Sequence, residues 1–559
     1  MERIRGAALG LVPGNSPLLV EALQNALEAL RAKRGVALCL EPGEYHFYPR
    51  HAPCRELCIS NHDPEPRRPV AFLLEGFNGL CINGGGSRFV FHTEILPFYI
   101  ASSRGVRLEN FSLDYARPAY SEGEILSVQP QEMVVRIDPA KYPWQVRQGR
   151  LVFWGENFCH PLHLWLELDA QTGSPAWGTD DLYFRTERQT QGLDLCAEAM
   201  APDLVRLTLS GSERFFAASR PGNRLVFRHH PRTYPAFYAA DCSDLALENI
   251  AVRHAAGMAF LAERCTGVAL TRFDLAPDPA SPRCFTSAAD ATHFVNCAGE
   301  LRLEECRFES QLDDGVNVHG FYAPVRGRPA GQSLLLGWGH PGQQGTLPGR
   351  PGDEVALMGA EQLRPVWTAR LKRLCPQKEG ILAEFDAPLP DSLPERPVLE
   401  NLSLSPRVVI RGCTFRKNRA RGVLLTCREA LVENCLFETA GAAVYLEGEA
   451  CYWYESGATR SLCLQNNRFV NCAYIPAWGA APITACPKVR SSGGWFFHAK
   501  LTIRDNEFFC FDQRVLSLRQ VGETRFCNNR RTRTRAYPAR SGEQYDVADC
   551  GAFYQDYQL

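Results

Sequence analysis

The chain has no surplus of charge of either sign: 61 Lys and Arg stand against 62 Asp and Glu, a formal net charge of −1. Phosphate backbones are gathered by a basic field, so this balance argues against nucleic acid as a partner. It also lacks any apolar run near the roughly 18 to 20 residues that span a bilayer, and no membrane span is expected. The N-terminus MERIRGAALGLVPG begins basic, but its apolar stretch runs only from Ala7 to Val12, short of the about 7 to 15 residues of a secretory h-region. As given, the chain reads as cytoplasmic; a trimmed sequence would read as secreted or periplasmic. Paired Cys-x-x-Cys motifs and histidine-rich ligand spacings are missing too, which argues against a structural metal framework. The 22 cysteines are instead spread along the chain, several at one place in a repeat (Cys306, Cys413, Cys435, Cys510). That pattern suits reduced thiols filling a core better than a disulfide scaffold.

The repeat is the dominant feature. Short alternating segments recur: ENFSLDY from Glu109, ENIAVRH from Glu248, TRFDLAP from Thr271, EECRFES from Glu304, RGCTFRKN from Arg411, ENCLFET from Glu433, QNNRFVN from Gln465 and RDNEFFC from Arg504. With the third residue as register mark, Ile250 to Phe273 is 23 residues and Cys413 to Cys435 is 22. A period in the range of about 20 to 50 residues marks a solenoid. Each unit is a run of Val, Leu, Phe and Cys preceded by Asn, Gly or Asp, which favours strands joined by tight turns. The expected fold is an all-β, right-handed parallel β-helix with one coil per period.

Residues 18–33, LLVEALQNALEALRAK, have helical spacing and are expected to cap the open end of the solenoid. Asn83-Gly84-Gly85-Gly86 reads as a tight corner, since the lysine and following helix of a phosphate loop are missing. The period vanishes in two places, where MVVRID, RLVFWG and LVRLTLS and then SLLLGWG, DEVALMG and ILAEFDA take over. Two inserted antiparallel β-barrels are expected, walling one cleft from the same face. The division is 1–116 cap and first coils, 117–235 first barrel, 236–321 central coils, 322–405 second barrel, and 406–559 last coils and tail. The basic run RRTRTR in the tail reads as solvated surface.

The chemistry centres on SQLDDGVNVHG, Ser310 to Gly320. Asp313 and Asp314 are joined by Asp290, 23 residues upstream of Asp313. Neighbouring parallel strands are roughly 4.8 Å apart, so side chains from adjacent coils could open to the roughly 6.5 to 9.5 Å an inverting glycosidase needs. Crowded carboxylates repel, so one should keep its proton while another stays ionised. From the motif alone, an Asp-Asp-Gly turn or a calcium site explains the acids as well. His293, Asn296, Asn317 and His319 flank them with donors and acceptors suited to sugar hydroxyls, although a single histidine in a sheet is usually structural. Trp453, Tyr454 and Glu455 offer a stacking platform with an acid, against the ordinary reading of aromatic packing. Arg283, Arg421 and Glu447 complete the candidate binding set.

The run from Ser287 through Gly320, with WYESG at Trp453 to Gly457, closely resembles glycoside hydrolase family 110. These are exo-acting α-1,3-galactosidases known for removing the terminal galactose of the blood group B determinant, and the resemblance covers nearly the whole chain. It implies an inverting hydrolysis of terminal α-1,3-linked galactose without metal or organic cofactor, with Asp290, Asp313 and Asp314 as essential acids by motif position. Ala291 stands where many relatives would have glycine. Family members are often exported, and they divide into enzymes needing a neighbouring fucose and enzymes accepting linear α-1,3-galactosides; the residues do not choose between these, and a homodimer stays open. The alternatives are another β-helix polysaccharide enzyme, such as a polygalacturonase or lyase, or a non-catalytic glycan-binding solenoid. Asn317 and His319 do not match the polygalacturonase pattern after the acid pair.

Overall fold

The structure is a computed structural model that describes residues 2–186, 191–209, 213–329, 331–490 and 493–556. Its body is a right-handed parallel β-helix. One long ladder runs through Leu80–Phe91, Arg107–Tyr115, Ser243–Val252, Thr266–Leu275, Ala298–Glu304 and Arg407–Arg411, and on to Ala552–Gln555. A second runs through Leu96–Ala101, Phe237–Ala240, Phe260–Glu263, Thr292–Val295, Val316–Phe321 and Val423–Leu425, and on to Tyr545–Ala548.

The repeat motif works through its second residue. Asn110, Asn249, Arg272, Glu305, Gly412, Asn434, Asn466, Asp505 and Asn528 all take φ between 50° and 64°. Such a residue turns the strand sharply, and Asn, Asp and Gly accept that conformation at least cost. The register mark that follows then points inward. The pairings Ile250 to Phe273, Thr414 to Leu436 and Glu507 to Arg530 reproduce the 22- and 23-residue spacings. Inward thiols stack, with the Cys413 amide 3.4 Å from Cys435 Sγ. Further along, the same place holds an asparagine ladder in which Asn467 and Asn506 each donate to the next Oδ1, at 3.0 and 2.9 Å. Phe415, Phe437, Phe469 and Phe508 stack beside it at 4.7 to 5.3 Å.

Leu19–Arg31 is the helix at the N-terminal end, burying Leu19, Val20, Leu23, Leu27 and Leu30. Its Gln24 donates to the Ala71 carbonyl at 2.6 Å. The glycine run sits at a corner of the coil: Asn83 to Gly86 lie in strand Leu80–Phe91 beside the sharp turn at Asn110, where the register shifts between Asn83 and Ser87. The glycines form a bulge, because Gly85 and Gly86 have φ of 63° and 81° and a Cβ on Gly84 would lie 2.5 Å from that of Phe111.

Two antiparallel units interrupt the helix. Ser121–Gln129 to Arg224–Arg228 builds a seven-stranded sheet with a three-stranded partner, Trp144–Arg147, Arg150–Trp154 and Cys159–Pro161. Its edge segments meet through a bridge from Phe184 to Leu193. Ala323–Gly327 to Pro397–Asn401 forms a closed six-stranded barrel.

Candidate active site

A cavity of about 400 Å³ opens where the central coils meet the first insert. Asp313 and Asp314 sit in the turn before Val316–Phe321, and Asp290 sits before Thr292–Val295. Because they precede the strands, both members of the pair face the same space. Gly315 makes this possible: a Cβ there would lie 2.5 Å from the Gly422 carbonyl oxygen. The register is Thr292 to Val316, 24 residues, so Asp290 stacks on Asp314 and not on Asp313. The Asp314 amide donates to Asp290 Oδ1 at 3.3 Å. One oxygen from each acid lies within 4.8 Å of the other two, closer than the roughly 6.5 to 9.5 Å expected of an inverting pair.

The three acids live in different electrostatic settings. Arg232 bonds Asp313 at 2.8 Å and Arg419 reaches it at 3.6 Å. Burial works to raise Asp313, but these arginines, with Arg228 and Arg421, outweigh it and hold the carboxyl below its usual range. Asp290 is buried, and desolvation plus the charge of Asp313 push it up to about 8. Asp314 rises to about 7 through burial, although Arg421 bonds it at 3.2 Å and pulls the other way. Within this trio one carboxyl is thus held towards its ionised form and two towards their protonated forms. The spacing could also wrap a cation, but the arginine pairs already answer the negative charge, and the donor set suits proton chemistry better.

A family model described as GLAA-B beta-barrel domain I matches residues 121–224. Alpha-1,3-galactosidase A of Shewanella woodyi is 32% identical over 95% of this chain and 86% of its own length. The chain belongs to the α-1,3-galactosidase family. Alpha-1,3-galactosidase B of Phocaeicola vulgatus is also 32% identical, over 94% of this chain and 90% of its own; that of Bacteroides thetaiotaomicron is 29% identical over 94% and 86%. Among solved structures, the mannuronan C-5 epimerase AlgE4 A-module of Azotobacter vinelandii is similar at TM-score 0.44 and 10% identity, covering 98% of this chain and all of that one.

In this α-1,3-galactosidase family member, Asp290, Asp313, Asp314, His293, Asn317, Arg421, Glu447, Trp453 and Glu455 line the cavity. Four of the residues singled out from sequence do not. His319 lies one layer behind, 2% exposed, against His293 and Glu455. Asn296 takes φ 50° and donates its amide to the His319 carbonyl, so it shapes the strand end. Tyr454, at φ 58°, turns back over Gly339 and packs there. Arg283 faces away and pairs with buried Asp114 at 2.9 Å.

Sequence reasoning missed several lining residues. Arg232, Arg228, His163 and Tyr183 come from the first insert or its exit, where no period guides the eye. Arg419 did have a signal, two positions before Arg421 in the coil stacked on Asp313 and Asp314. Tyr452 and Trp478 complete the wall, and Arg419 lies 4.4 Å over the Trp478 ring. Among the described residues, the second barrel supplies none of the lining. It braces the rim from behind, with His340 4.3 Å from the Trp453 ring and Gln343 donating to the Trp453 carbonyl at 2.6 Å.

Proposed function

We propose that this chain is an exo-acting, inverting α-1,3-galactosidase that removes terminal α-1,3-linked galactose from glycans such as the blood group B determinant. The observation that carries the reading is the meeting of Asp290, Asp313 and Asp314 in one cavity, where arginines hold Asp313 below its usual range while burial raises Asp290 to about 8 and Asp314 to about 7. Glycoside hydrolysis needs a protonated acid for the leaving oxygen and an ionised base for the water. Oxygens up to 4.8 Å apart can both bond one water at about 2.8 Å each. In this scheme Asp313 draws the proton from a water it holds with Asp314, that water's oxygen bonds the anomeric carbon, and Asp290 gives its proton to the glycosidic oxygen as that bond breaks.

Other features support a polyhydroxylated ligand. Among the described residues, Asn317 Oδ1 and Arg421 Nε are buried at the cavity without a protein partner. A sugar hydroxyl would satisfy such groups, which otherwise cost about 1 to 3 kcal/mol each. Trp453 and Tyr452 are 38% and 59% exposed at the rim, where ring faces can stack on the apolar side of a pyranose.

The test is hydrolysis of a panel of terminal α-galactosides differing in linkage and in a neighbouring fucose, with the fresh product followed by proton NMR. β-Galactose should appear first; α-galactose first overturns the inverting assignment. Asp313→Asn should lower kcat by about 10²- to 10⁴-fold, and a near-native rate in that variant removes Asp313 from the chemistry. Chelator should leave the rate unchanged, and loss of rate in EDTA would favour the cation reading of the acids.

A further inference from the structure

Behind the cavity runs a chain of three short contacts. Asp290 Oδ2 is 2.6 Å from His293 Nδ1, His293 Nε2 is 2.8 Å from His319 Nε2, and His319 Nδ1 is 2.6 Å from the Gly320 carbonyl oxygen. A carbonyl oxygen only accepts, so His319 Nδ1 carries a hydrogen. With His319 neutral, its Nε2 is an acceptor, and His293 must donate from Nε2. A neutral His293 then presents a bare Nδ1 to Asp290, and the 2.6 Å contact is a hydrogen bond only if Asp290 is the carboxylic acid. The other arrangement puts a carboxylate at Asp290, the hydrogen of His293 on Nδ1, and both ring hydrogens on a cationic His319. Each contains three hydrogens, and they interconvert by moving one from Asp290 Oδ2 to His293 Nδ1 and another from His293 Nε2 to His319 Nε2. Remove one hydrogen and a pair of lone pairs faces itself at one of the two contacts.

We propose that His293 and His319 are positioning residues whose paired hydrogen bonds retain one proton for Asp290, keeping it in its acid form while offering that proton a two-step path to His319. This deepens the proposed function and rests on it for its catalytic consequence. Around the chain stand Arg232 and Asp313 from the insert exit and the acid turn, Asp314 and Arg421 on the next coils, Glu455 and Glu447 on the far wall, and His62 beneath. Arg232 opposes a cation on His293, while Glu455 Oε1 lies 3.4 Å from His319 Nε2 and would face the cation of the second arrangement. Burial holds both imidazoles down to about 3, which favours the arrangement with the proton on Asp290.

Two measurements test this. In ¹⁵N-histidine-labelled protein at neutral pH, with resonances assigned through their backbone connections, His319 should be protonated on Nδ1 alone and His293 on Nε2 alone. A hydrogen on His293 Nδ1 beside a neutral His319 overturns the proposal. In His319→Gln the side-chain amide can accept or donate, the enforced direction is lost, and His293 can turn its Nδ1 hydrogen towards the carboxylate. The alkaline limb of kcat/KM should then move down by about one pH unit, a tenfold change in proton affinity. A profile that superimposes on the wild type after scaling also overturns the proposal. If the wild type cleaves no α-galactoside, the functional reading fails, and the NMR measurement still decides the hydrogen-bond chain.

Discussion

Asp290 and Asp314 occupy the same place on consecutive coils, joined by a 3.3 Å hydrogen bond from the Asp314 amide to Asp290 Oδ1. Asp313, one residue earlier, is drawn aside by Arg232 and Arg419. Two acids thus share a buried column while the third holds the negative charge.

The pH dependence follows from this division. An acid is active while protonated and a base while ionised. Asp313 stays ionised to below the ordinary aspartate range, whereas Asp314 and Asp290 lose their protons near 7 and 8. Initial rates should therefore be flat through mildly acidic pH and fall above about 7 to 8. A rate still rising through pH 8 would show that neither protonated acid is required.

Stability carries the same signature. Asp290 binds its proton more tightly folded, at about 8, than unfolded, at 3.8, so its contribution is complete below about 4 and is lost as pH rises towards 8. Asn at this position cannot ionise, and its amide can donate to His293 Nδ1 as the acid does. Asp290→Asn should melt higher than wild type at pH 8, with the gap closing towards pH 4. Scanning calorimetry across that range checks it, and a gap independent of pH contradicts the assignment.

The rim depends on a carboxylate outside the cavity wall. Glu449 accepts the backbone amides of Cys451, Tyr452 and Tyr454 at 2.7 Å, and that of Trp453. These bonds curl the loop so that Tyr452 and Trp453 face the cavity. Glu449→Gln removes the charge that gathers the amides and should raise KM about tenfold with kcat nearly unchanged, as should Trp453→Ala. Steady-state kinetics separate the two parameters; a fall in kcat alone would place the loop in the chemical step.

Arg283 gives the opposite pattern. Its guanidinium and the Asp114 carboxyl are both buried, so Arg283→Met leaves Asp114 with only the longer 3.6 Å pair to half-exposed Arg88 and should cost about 3 kcal/mol. Denaturant unfolding measures that loss, while KM for an α-galactoside should not change in the folded variant.

Much of this was legible because a solenoid repeats its local rules. The left-handed turn at Asn249, Asn434 or Asp505 is announced by residue type, and the inward residue that follows by its apolar or cysteine character. The acid trio was legible for the same reason, although one extra residue in the turn shifted the stacking from Asp313 to Asp314. Tyr454 was misplaced beside Trp453 because alternation fails where φ turns positive, and Tyr452 took the exposed position. The arginine clamp was harder to see: Arg232 lies 81 residues from Asp313 in the chain, at the exit of an insert with no period.

By itself the sequence determined the coil, its turn residues, and the fact that three aspartates come close on neighbouring strands, because each is a local consequence of residue type and spacing. Only the tertiary structure decided which aspartate stays charged, which hold protons, and which histidine faces the cavity while the other stands behind it. Those outcomes depend on burial and on guanidinium groups brought in from distant segments, and electrostatic energies are set by distance in space, which the order of residues does not state.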